Sequence, residues 1–297
     1  MSELDRLVDQ GVVAANAELG SLTTYRFGGP ARFLAEPADR AALDRVIAAR
    51  ADEPVLVLGR GSNLVISDRG FDGLVIRLAG EFERVTIDGG IVEAGGAAWL
   101  PTVARRSVEG GLSGLEFYVG IPGTVGGAVR QNAGGHGSET REWLRSVEVV
   151  SVVDGSTTSL GPDDLDMSYR HTNVRPDQIV TAATYRCRPG DVERGRELIA
   201  TIVRWRKEHQ PPAMYNAGSV FRNPSGDSAG RIIDSIGLKG FSVGGVRVSE
   251  KHANFFVADP DATAADLHRL VERIADIVDE ETGIRLQPEI QFVGQFS

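Results

Sequence analysis

Two glycine-rich segments, each next to apolar runs, restrict most strongly what this chain can fold into. The first is 59–63 (GRGSN), between the apolar runs 55–58 and 64–66, and the second is 120–128 (GIPGTVGGA). Glycine lets backbone N–H groups approach a ligand closely, as a loop that holds a pyrophosphate requires. Neither segment has the G-x-G-x-x-G or the G-x-x-x-x-G-K-[ST] spacing, so a Rossmann dehydrogenase and a P-loop enzyme are both disfavoured. Two ordinary loops remain the alternative.

The pattern of apolar residues predicts an α+β fold. Spacing typical of amphipathic helices occurs at 38–50, 99–108, 191–207 and 264–280. Short apolar runs predict strands at 55–58, 64–66, 74–76, 85–87, 91–93, 146–153 and 178–187. The turn residues 88–90 (DGG) predict a hairpin between two of these strands. At 297 residues the chain is long enough for two domains, or for one large fold with an insertion.

Composition disfavours several classes of function. The net charge of −9 argues against nucleic acid as a partner, because binding phosphates requires clustered basic residues. No apolar run approaches the length of a membrane span and no secretory leader begins the chain, so we expect a cytoplasmic protein without a membrane partner. The five histidines lack metal-ligand spacing, which predicts no metal site. The single cysteine, Cys187, excludes an internal disulfide, and its arginine neighbours favour a loop or strand-edge thiol over a catalytic one.

Longer strings of residues resemble one family of enzymes. They lie at 24–30, 58–64, 114–117 with 120–128, 169–170, 216–224, 249–255 and 286–290. In this order, over nearly the whole chain, they resemble the UDP-N-acetylenolpyruvoylglucosamine reductases, also called UDP-N-acetylmuramate dehydrogenases. The resemblance implies an oxidoreductase that uses FAD and NADPH to reduce the enolpyruvyl ether of UDP-N-acetylglucosamine. The product, UDP-N-acetylmuramate, serves peptidoglycan synthesis.

The resemblance also implies an architecture. It is an FAD-binding fold of the vanillyl-alcohol-oxidase type, made of two α+β subdomains, followed by a C-terminal α+β substrate-binding domain. We expect FAD-binding subdomain 1 at 1–80, subdomain 2 at 81–195 and the substrate-binding domain at 196–297, whose last strand can return to subdomain 1. The segment between Arg170 and Ser219 is too short for the substrate-covering loop that one class of the family inserts there. We therefore expect the class without that loop. The sequence does not determine the oligomeric state, and a monomer is favoured.

The resemblance gives the two glycine segments a ligand, the pyrophosphate of FAD. The residues expected to bind FAD are Gly59, Arg60, Gly61, Ser62, Asn63, Gly120, Ile121, Gly123, Thr124, Gly126, Gly127 and Ala128. Relatives that attach flavin covalently carry a histidine or cysteine at or near the first segment. The segment here offers neither, so we expect non-covalent FAD.

Three catalytic residues follow from the same resemblance. Hydride addition to the terminal CH2 carbon of the substrate leaves negative charge on the conjugated carboxylate, which requires a cation and a proton donor. The planar guanidinium of Arg170 would stabilise that charge, Ser219 would protonate the neighbouring carbon, and Glu289 would act as a proton relay or hydrogen-bond donor. Without the resemblance they would be interpreted as a surface arginine, a turn serine and a solvent-facing strand residue.

Four further residues are expected to bind substrate. They are Tyr169, Lys207, Asn223 and Lys251, with the lysines placed at the UDP phosphates and the tyrosine beside the flavin or the substrate. A solvated or core role for each remains open. Two positions depart mildly from the family pattern: Val246 stands where alanine is usual, and Thr172 where serine is common.

Two other functions remain as alternatives. One is a different flavin enzyme on the same fold, such as an alcohol or lactone oxidase, which would react with oxygen and hold its flavin covalently. The other is a UDP-sugar-binding module without activity, which we would expect to have lost at least one catalytic residue. All three catalytic residues are present in this chain.

Overall fold

The computed structural model describes residues 2–296. Its helices are α1 Glu3–Asp9, α2 Arg40–Ala49, α3 Leu100–Glu109, α4 Val125–Arg130, α5 Val192–His209, α6 Ala229–Ser235 and α7 Ala264–Thr282. The first nine strands are β1 Val13–Glu18, β2 Pro30–Ala35, β3 Val55–Val57, β4 Leu64–Ile66, β5 Phe71–Ile76, β6 Val85–Asp88, β7 Ile91–Gly95, β8 Leu112–Ser113 and β9 Gly134–Gly135. The remaining strands are β10 Ser138–Glu139, β11 Leu144–Ser151, β12 Thr157–Leu160, β13 Gln178–Arg186, β14 Arg188–Pro189, β15 Ser242–Val243, β16 Val246–Val248, β17 Phe256–Ala258 and β18 Gln291–Val293.

The helices predicted from apolar spacing form as α2, α3, α5 and α7, with small shifts at their ends. In α7 the local signals are especially clear. Thr263 and Asp266 form a capping box at the start, the apolar stripe is buried, and Gly283 ends the helix with a φ of 72°. The hairpin predicted around residues 88–90 also forms, as the antiparallel pair β6 and β7.

The chain divides into two compact units, and both are discontinuous in sequence. Unit 1 contains the residues up to Ala15, Phe33–Gly59 and Gly73–Arg206, and unit 2 contains Asn16–Arg32, Arg60–Asp72 and the described residues from Lys207 onward. The first glycine segment is therefore divided after Gly59. The domain bounds predicted at residues 80 and 195 stay predictions.

Unit 1 has a five-stranded antiparallel sheet in the order β12-β11-β13-β7-β6. Helices α3 and α4 contribute buried apolar residues to the same core as this sheet, among them Val103, Val125 and Val129. A second core in unit 1 combines α1 and α2 with the buried Leu74 and Ile76 of β5. Burial of each large apolar side chain stabilises the fold by about 1.5–3 kcal/mol.

Unit 2 is organised around α7, whose buried face packs with α6 and the small sheet β15-β16-β17. Val246, the departure from the family pattern, is 1% exposed and belongs to this core. The last strand, β18, pairs in parallel with β4, and Phe292 lies opposite Val65. The end of the chain therefore joins a strand that directly follows the first glycine segment.

Candidate functional site

The two predicted FAD segments meet within unit 1, where Gly59 faces Thr124. A Cβ atom built on Gly59 would lie 2.7 Å from the Oγ1 atom of Thr124. Carbon and oxygen atoms do not approach this closely without displacement. Position 59 therefore excludes every side chain as long as Thr124 keeps its place.

The second segment is fixed by backbone hydrogen bonds to the first residue of α3 and to the chain just before it. The N–H of Leu100 donates to the Gly123 carbonyl at 3.1 Å, and the N–H of Val125 donates to the Ala98 carbonyl at 3.0 Å. Thr124 also forms an antiparallel bridge with Trp99, whose side chain is 44% exposed. Gly123 has a φ of 140°, which favours glycine. The loop conformation is thus determined by the chain itself.

His136 packs against the start of the second segment. A Cβ on Gly120 would lie 2.5 Å from its Nε2 atom, and its ring meets that of Trp205 edge-on at 5.3 Å. Burial, and then the nearby Arg206, lower the pKa of His136. The imidazole therefore favours its neutral form beside this loop.

The rest of the first segment lies in unit 2 and is tied to residues 23–24 and to the C-terminal strand. Gly61 has a φ of 59°, and a Cβ there would lie 2.7 Å from the Cα of Thr23. Asn63 donates from Nδ2 to the Glu289 carbonyl at 3.2 Å, and its own carbonyl accepts from Gln291 at 2.9 Å. Arg60 is exposed and Ser62 is half-buried. Asn63 thus has a structural bond in addition to its predicted contact with FAD.

Arg170 lies in unit 1, in a tight turn between Ser168 and His171. These two residues exchange backbone hydrogen bonds of 3.1 Å, and Arg170 has a φ of 54°. Its Nη2 atom donates to the Gly134 carbonyl at 3.2 Å, and its Cζ lies 5.1 Å from the centre of the Tyr169 ring. Tyr169 is 49% exposed. The half-buried guanidinium is therefore held at one edge by the β9 backbone.

Sequence analysis missed Asn132, which lies four residues beyond the second segment. Its side chain is fully buried and donates to the Ser168 carbonyl at 2.9 Å and to Glu139 Oε2 at 3.0 Å. Its Oδ1 atom accepts from the Arg141 amide at 3.0 Å, and its φ is 40°. Asparagine tolerates a left-handed conformation better than most residues, so its place in the glycine-rich string NAGG at 132–135 is a local sign of such a position.

Ser219 and Glu289 lie on neighbouring stretches of chain in unit 2. The amide of Glu289 donates to the carbonyl of Val220 at 2.7 Å, and Phe221 forms an antiparallel bridge with Pro288. Ser219 itself bridges Phe255 and follows Gly218, whose φ is 74°. Both predicted catalytic side chains are half-buried. The structure therefore brings the serine segment and the glutamate segment side by side.

The predicted substrate residues of unit 2 fall into two groups. Lys251 donates from Nζ to the Lys207 carbonyl at 2.5 Å, so the two exposed lysines lie next to each other. Asn223 accepts at Oδ1 from the amide of Ala229 at 3.1 Å, at the start of α6. The asparagine thus has a capping role within the fold.

Two family models match this chain, one mainly in its N-terminal half and one near its C-terminus. Residues 31–161 match the FAD binding domain family, and residues 210–293 match the C-terminal domain of UDP-N-acetylenolpyruvoylglucosamine reductase. A UDP-N-acetylenolpyruvoylglucosamine reductase 2 from Symbiobacterium thermophilum is 42% identical over 289 residues, which cover 96% of this chain and 94% of the relative. The chain belongs to the UDP-N-acetylenolpyruvoylglucosamine reductase family. It is an FAD-binding oxidoreductase, as the sequence predicts.

Similarity to further members of the reductase family supports this assignment. The UDP-N-acetylenolpyruvoylglucosamine reductase of Synechococcus sp. strain WH7803 is 42% identical over 98% of this chain. The crystal structure of the reductase from Thermus caldophilus superposes with a TM-score of 0.83 at 38% identity, covering 95% of this chain and 98% of that one. The predicted fold class, an FAD-binding fold of the vanillyl-alcohol-oxidase type joined to a C-terminal α+β domain, is confirmed.

The residues of the glycine segments fit FAD. Gly59, Gly61 and Gly123 each stand where a side chain would clash or strain the backbone, so the main chain carries no side chain at these positions, as a loop that holds a pyrophosphate requires. Gly126 is similarly restricted, since a Cβ would lie 3.1 Å from the Gly96 carbonyl. Main-chain N–H groups of the two segments and the Thr124 hydroxyl are the donors that would hold FAD. The amides of Ile121, Gly126 and Ala128 already donate within the fold, to the carbonyls of Tyr118, Gly96 and Thr124.

Three other expectations concern features outside the glycine segments. Within residues 2–296, no helix is long and apolar enough to cross a membrane, and no group of histidine, cysteine and acidic residues is arranged to hold a metal. Cys187 lies between β13 and β14, and burial raises the pKa of its thiol to about 12. This pKa does not favour a nucleophilic thiolate.

Proposed function

We propose that this chain is a cytoplasmic, NADPH-dependent reductase of the enolpyruvyl ether of UDP-N-acetylglucosamine, giving UDP-N-acetylmuramate for peptidoglycan synthesis. The observation that carries the proposal is the family match over nearly the whole chain, with Arg170, Ser219 and Glu289 all present. We also propose that FAD binds non-covalently. The first glycine segment supports this, because it contains neither histidine nor cysteine.

The reaction adds one hydride and one proton across the carbon–carbon double bond of the substrate. NADPH is the source of electrons, and FAD held by the two glycine segments would, once reduced, supply the hydride that is added to the terminal CH2 carbon. That carbon becomes a methyl group, and the electron pair of the double bond moves towards the carboxylate. The adjacent carbon then takes up a proton, which completes the lactyl ether.

Arg170 stabilises the negative charge that develops on the carboxylate. A guanidinium is always protonated near neutral pH and presents a planar pair of donors that matches a carboxylate. The turn around Arg170 supports this role, because the guanidinium is anchored to the Gly134 carbonyl while remaining half-buried. A fixed cation is more effective than a mobile one, since it needs no reorganisation as charge develops.

Ser219 donates the proton to the adjacent carbon. A hydroxyl is a weak acid, so this role requires a strongly basic carbon and a group that returns the proton. The pairing of the Glu289 amide with the Val220 carbonyl supports Glu289 as that relay, because it holds the carboxyl-bearing residue beside the serine segment. We propose that Glu289 also assists at the substrate carboxylate.

Substrate binding involves the remaining predicted residues. Lys207 and Lys251 lie next to each other and supply positive charge for the two phosphates of UDP. Tyr169, with 49% of its surface exposed, packs against the flavin or the sugar. Asn223 contributes its side-chain amide to substrate binding, although the Oδ1 atom of that amide already accepts from the backbone N–H of Ala229.

An anaerobic titration tests the proposal. NADPH should bleach the flavin absorbance of the purified protein without the sugar present. The enolpyruvyl sugar should then restore the absorbance and yield a product heavier by two hydrogen atoms, while UDP-N-acetylglucosamine should do neither. Restoration by oxygen but not by the enolpyruvyl sugar would instead indicate an oxidase. Parallel lines in steady-state kinetics are expected if both reactants use one site in turn.

A further inference from the structure

One fully buried side chain secures the turn that carries Arg170. Both N–H groups of the Asn132 side-chain amide donate, one to the Ser168 carbonyl and one to the Glu139 carboxylate. Its Oδ1 atom accepts from the backbone N–H of Arg141. A buried amide with all of these bonds made holds its neighbours in a fixed arrangement, because breaking any bond leaves a polar group unsatisfied.

The backbone of Arg170 needs such support. A φ of 54° is left-handed, a conformation in which the Cβ atom of a non-glycine residue is strained against the backbone. Strain of this kind persists only where the surrounding structure imposes it. The Asn132 bond to Ser168 holds one side of the turn, and the Thr172 hydroxyl holds the other by donating to the Arg130 carbonyl at 3.1 Å.

The segment that includes Asn132 also fixes the other contact of Arg170. Gly134, two residues later, accepts from the guanidinium. A Cβ on Gly134 would lie 2.8 Å from the Cβ of Glu139, so the β9 and β10 strands pair closely at this point. Glu139 is in turn bonded by the Asn132 amide. The bonds of Asn132 therefore fix both the turn that carries the backbone of Arg170 and the strand pair that accepts from its guanidinium.

We propose that Asn132 is a positioning residue for Arg170. It holds the Ser168–His171 turn in the conformation in which the guanidinium of Arg170 can bind the carboxylate of the enolpyruvyl substrate. The inference rests on the proposed role of Arg170 and adds the residue through which that role depends on the fold. Asn132 touches neither hydride nor proton transfer in this scheme.

The test compares Asn132→Gly with Asn173→Gly. Glycine accepts the φ of 40° at position 132 and removes all three side-chain bonds. Asn173 lies in the same loop as Arg170, but its side-chain amide donates to the Asp164 carbonyl at 2.8 Å and not to the Ser168–His171 turn. We expect Asn132→Gly to retain FAD and to be reduced by NADPH normally. Its reoxidation by the enolpyruvyl sugar should be about tenfold slower or more, since small displacements of a catalytic group are costly.

The Asn173→Gly control should resemble the unmodified enzyme in both half-reactions. Equal slowing of reoxidation in the two variants would overturn the inference, and so would loss of FAD from Asn132→Gly. If Asn132→Gly fails to fold, Asn132→Asp replaces it, because the aspartate keeps the acceptor for Arg141 and tolerates the same φ. Failure of both variants to fold would make Asn132 a folding residue and overturn the inference as well.

A double-mutant cycle separates this inference from the proposed function. If Asn132 acts through Arg170, adding Asn132→Gly to Arg170→Ala should slow reoxidation no further. Multiplying effects would show an independent role for Asn132 and overturn the inference alone. Normal reoxidation in Arg170→Ala itself would overturn the proposed role of Arg170 and, with it, the inference.

Discussion

Replacing Gly59 by alanine should weaken FAD binding through a single defined clash. The new Cβ would lie 2.7 Å from Thr124 Oγ1 and 3.5 Å from its Cγ2. The φ of Gly59 is not in the left-handed region, so alanine brings no backbone strain of its own. The Thr124 side chain must therefore turn or move by several tenths of an ångström.

The size of the effect follows from the cost of overpacking. Extra carbon atoms in a packed site cost about 1–3 kcal/mol. In the protein without FAD, Thr124 can rotate away, so most of this cost should appear when the cofactor requires its original position. At about 1.4 kcal/mol for each factor of ten, the Kd for FAD should rise by about 5–150-fold.

Titration of FAD into the cofactor-free protein, followed by quenching of flavin fluorescence, measures this change. Gly161→Ala is the matched control, because the nearest atom to its Cβ is the Asp164 carboxylate oxygen at 3.6 Å. Removing the threonine should relieve the clash, so Gly59→Ala with Thr124→Ala should bind FAD no more weakly than Thr124→Ala alone. An unchanged Kd for Gly59→Ala, or equal weakening in the Gly161 control, would refute the reasoning.

Three further predictions concern charge and stability. Asn63→Asp and Gly123→Asp should each purify with less FAD, because a carboxylate repels the pyrophosphate, and full flavin content measured by absorbance would contradict this. Asp68 accepts from the first two amides of α7, so Asp68→Ala should lower the unfolding free energy by about 0.5–2 kcal/mol in urea, while the exposed Asp72→Ala should not. Burial raises the pKa of Tyr118 to about 12, so the folded state keeps its proton while the unfolded chain ionises near pH 10. The wild type therefore loses stability from about pH 10 to 12, and Tyr118→Phe should lose less over that range when thermal unfolding is followed against pH.

The elements that sequence patterns predict best are those specified by local signals. Helix α7 has a capping residue, a continuous apolar stripe and a terminal glycine within one stretch of chain, so its bounds are nearly those expected. The glycine segments were recognisable because glycine clusters are local too. Alternation alone would make Glu289 a solvent-facing strand residue, whereas the chain there forms only an isolated bridge at Pro288 before β18 begins.

The site contacts that sequence patterns leave out join residues far apart in the chain. Gly59 and Thr124 are brought together by folding, and nothing within either segment indicates which side chain the glycine must accommodate. Asn132 likewise bonds to Ser168, in a different loop. The left-handed φ of Arg170 was also unexpected, because arginine shows no preference for that conformation and the surrounding bonds impose it.

The roles of Ser219 are tested most directly by following the two half-reactions of Ser219→Ala separately in a stopped-flow instrument. The variant should retain FAD and be reduced by NADPH at close to the normal rate, because the hydroxyl takes no part in that step. Reoxidation by the enolpyruvyl sugar should slow by about 10²–10⁴-fold, the usual contribution of general acid catalysis, and Ser219→Cys should recover part of the loss. Equal slowing of both half-reactions, or a normal rate of reoxidation, would contradict the account and leave Ser219 as a turn residue.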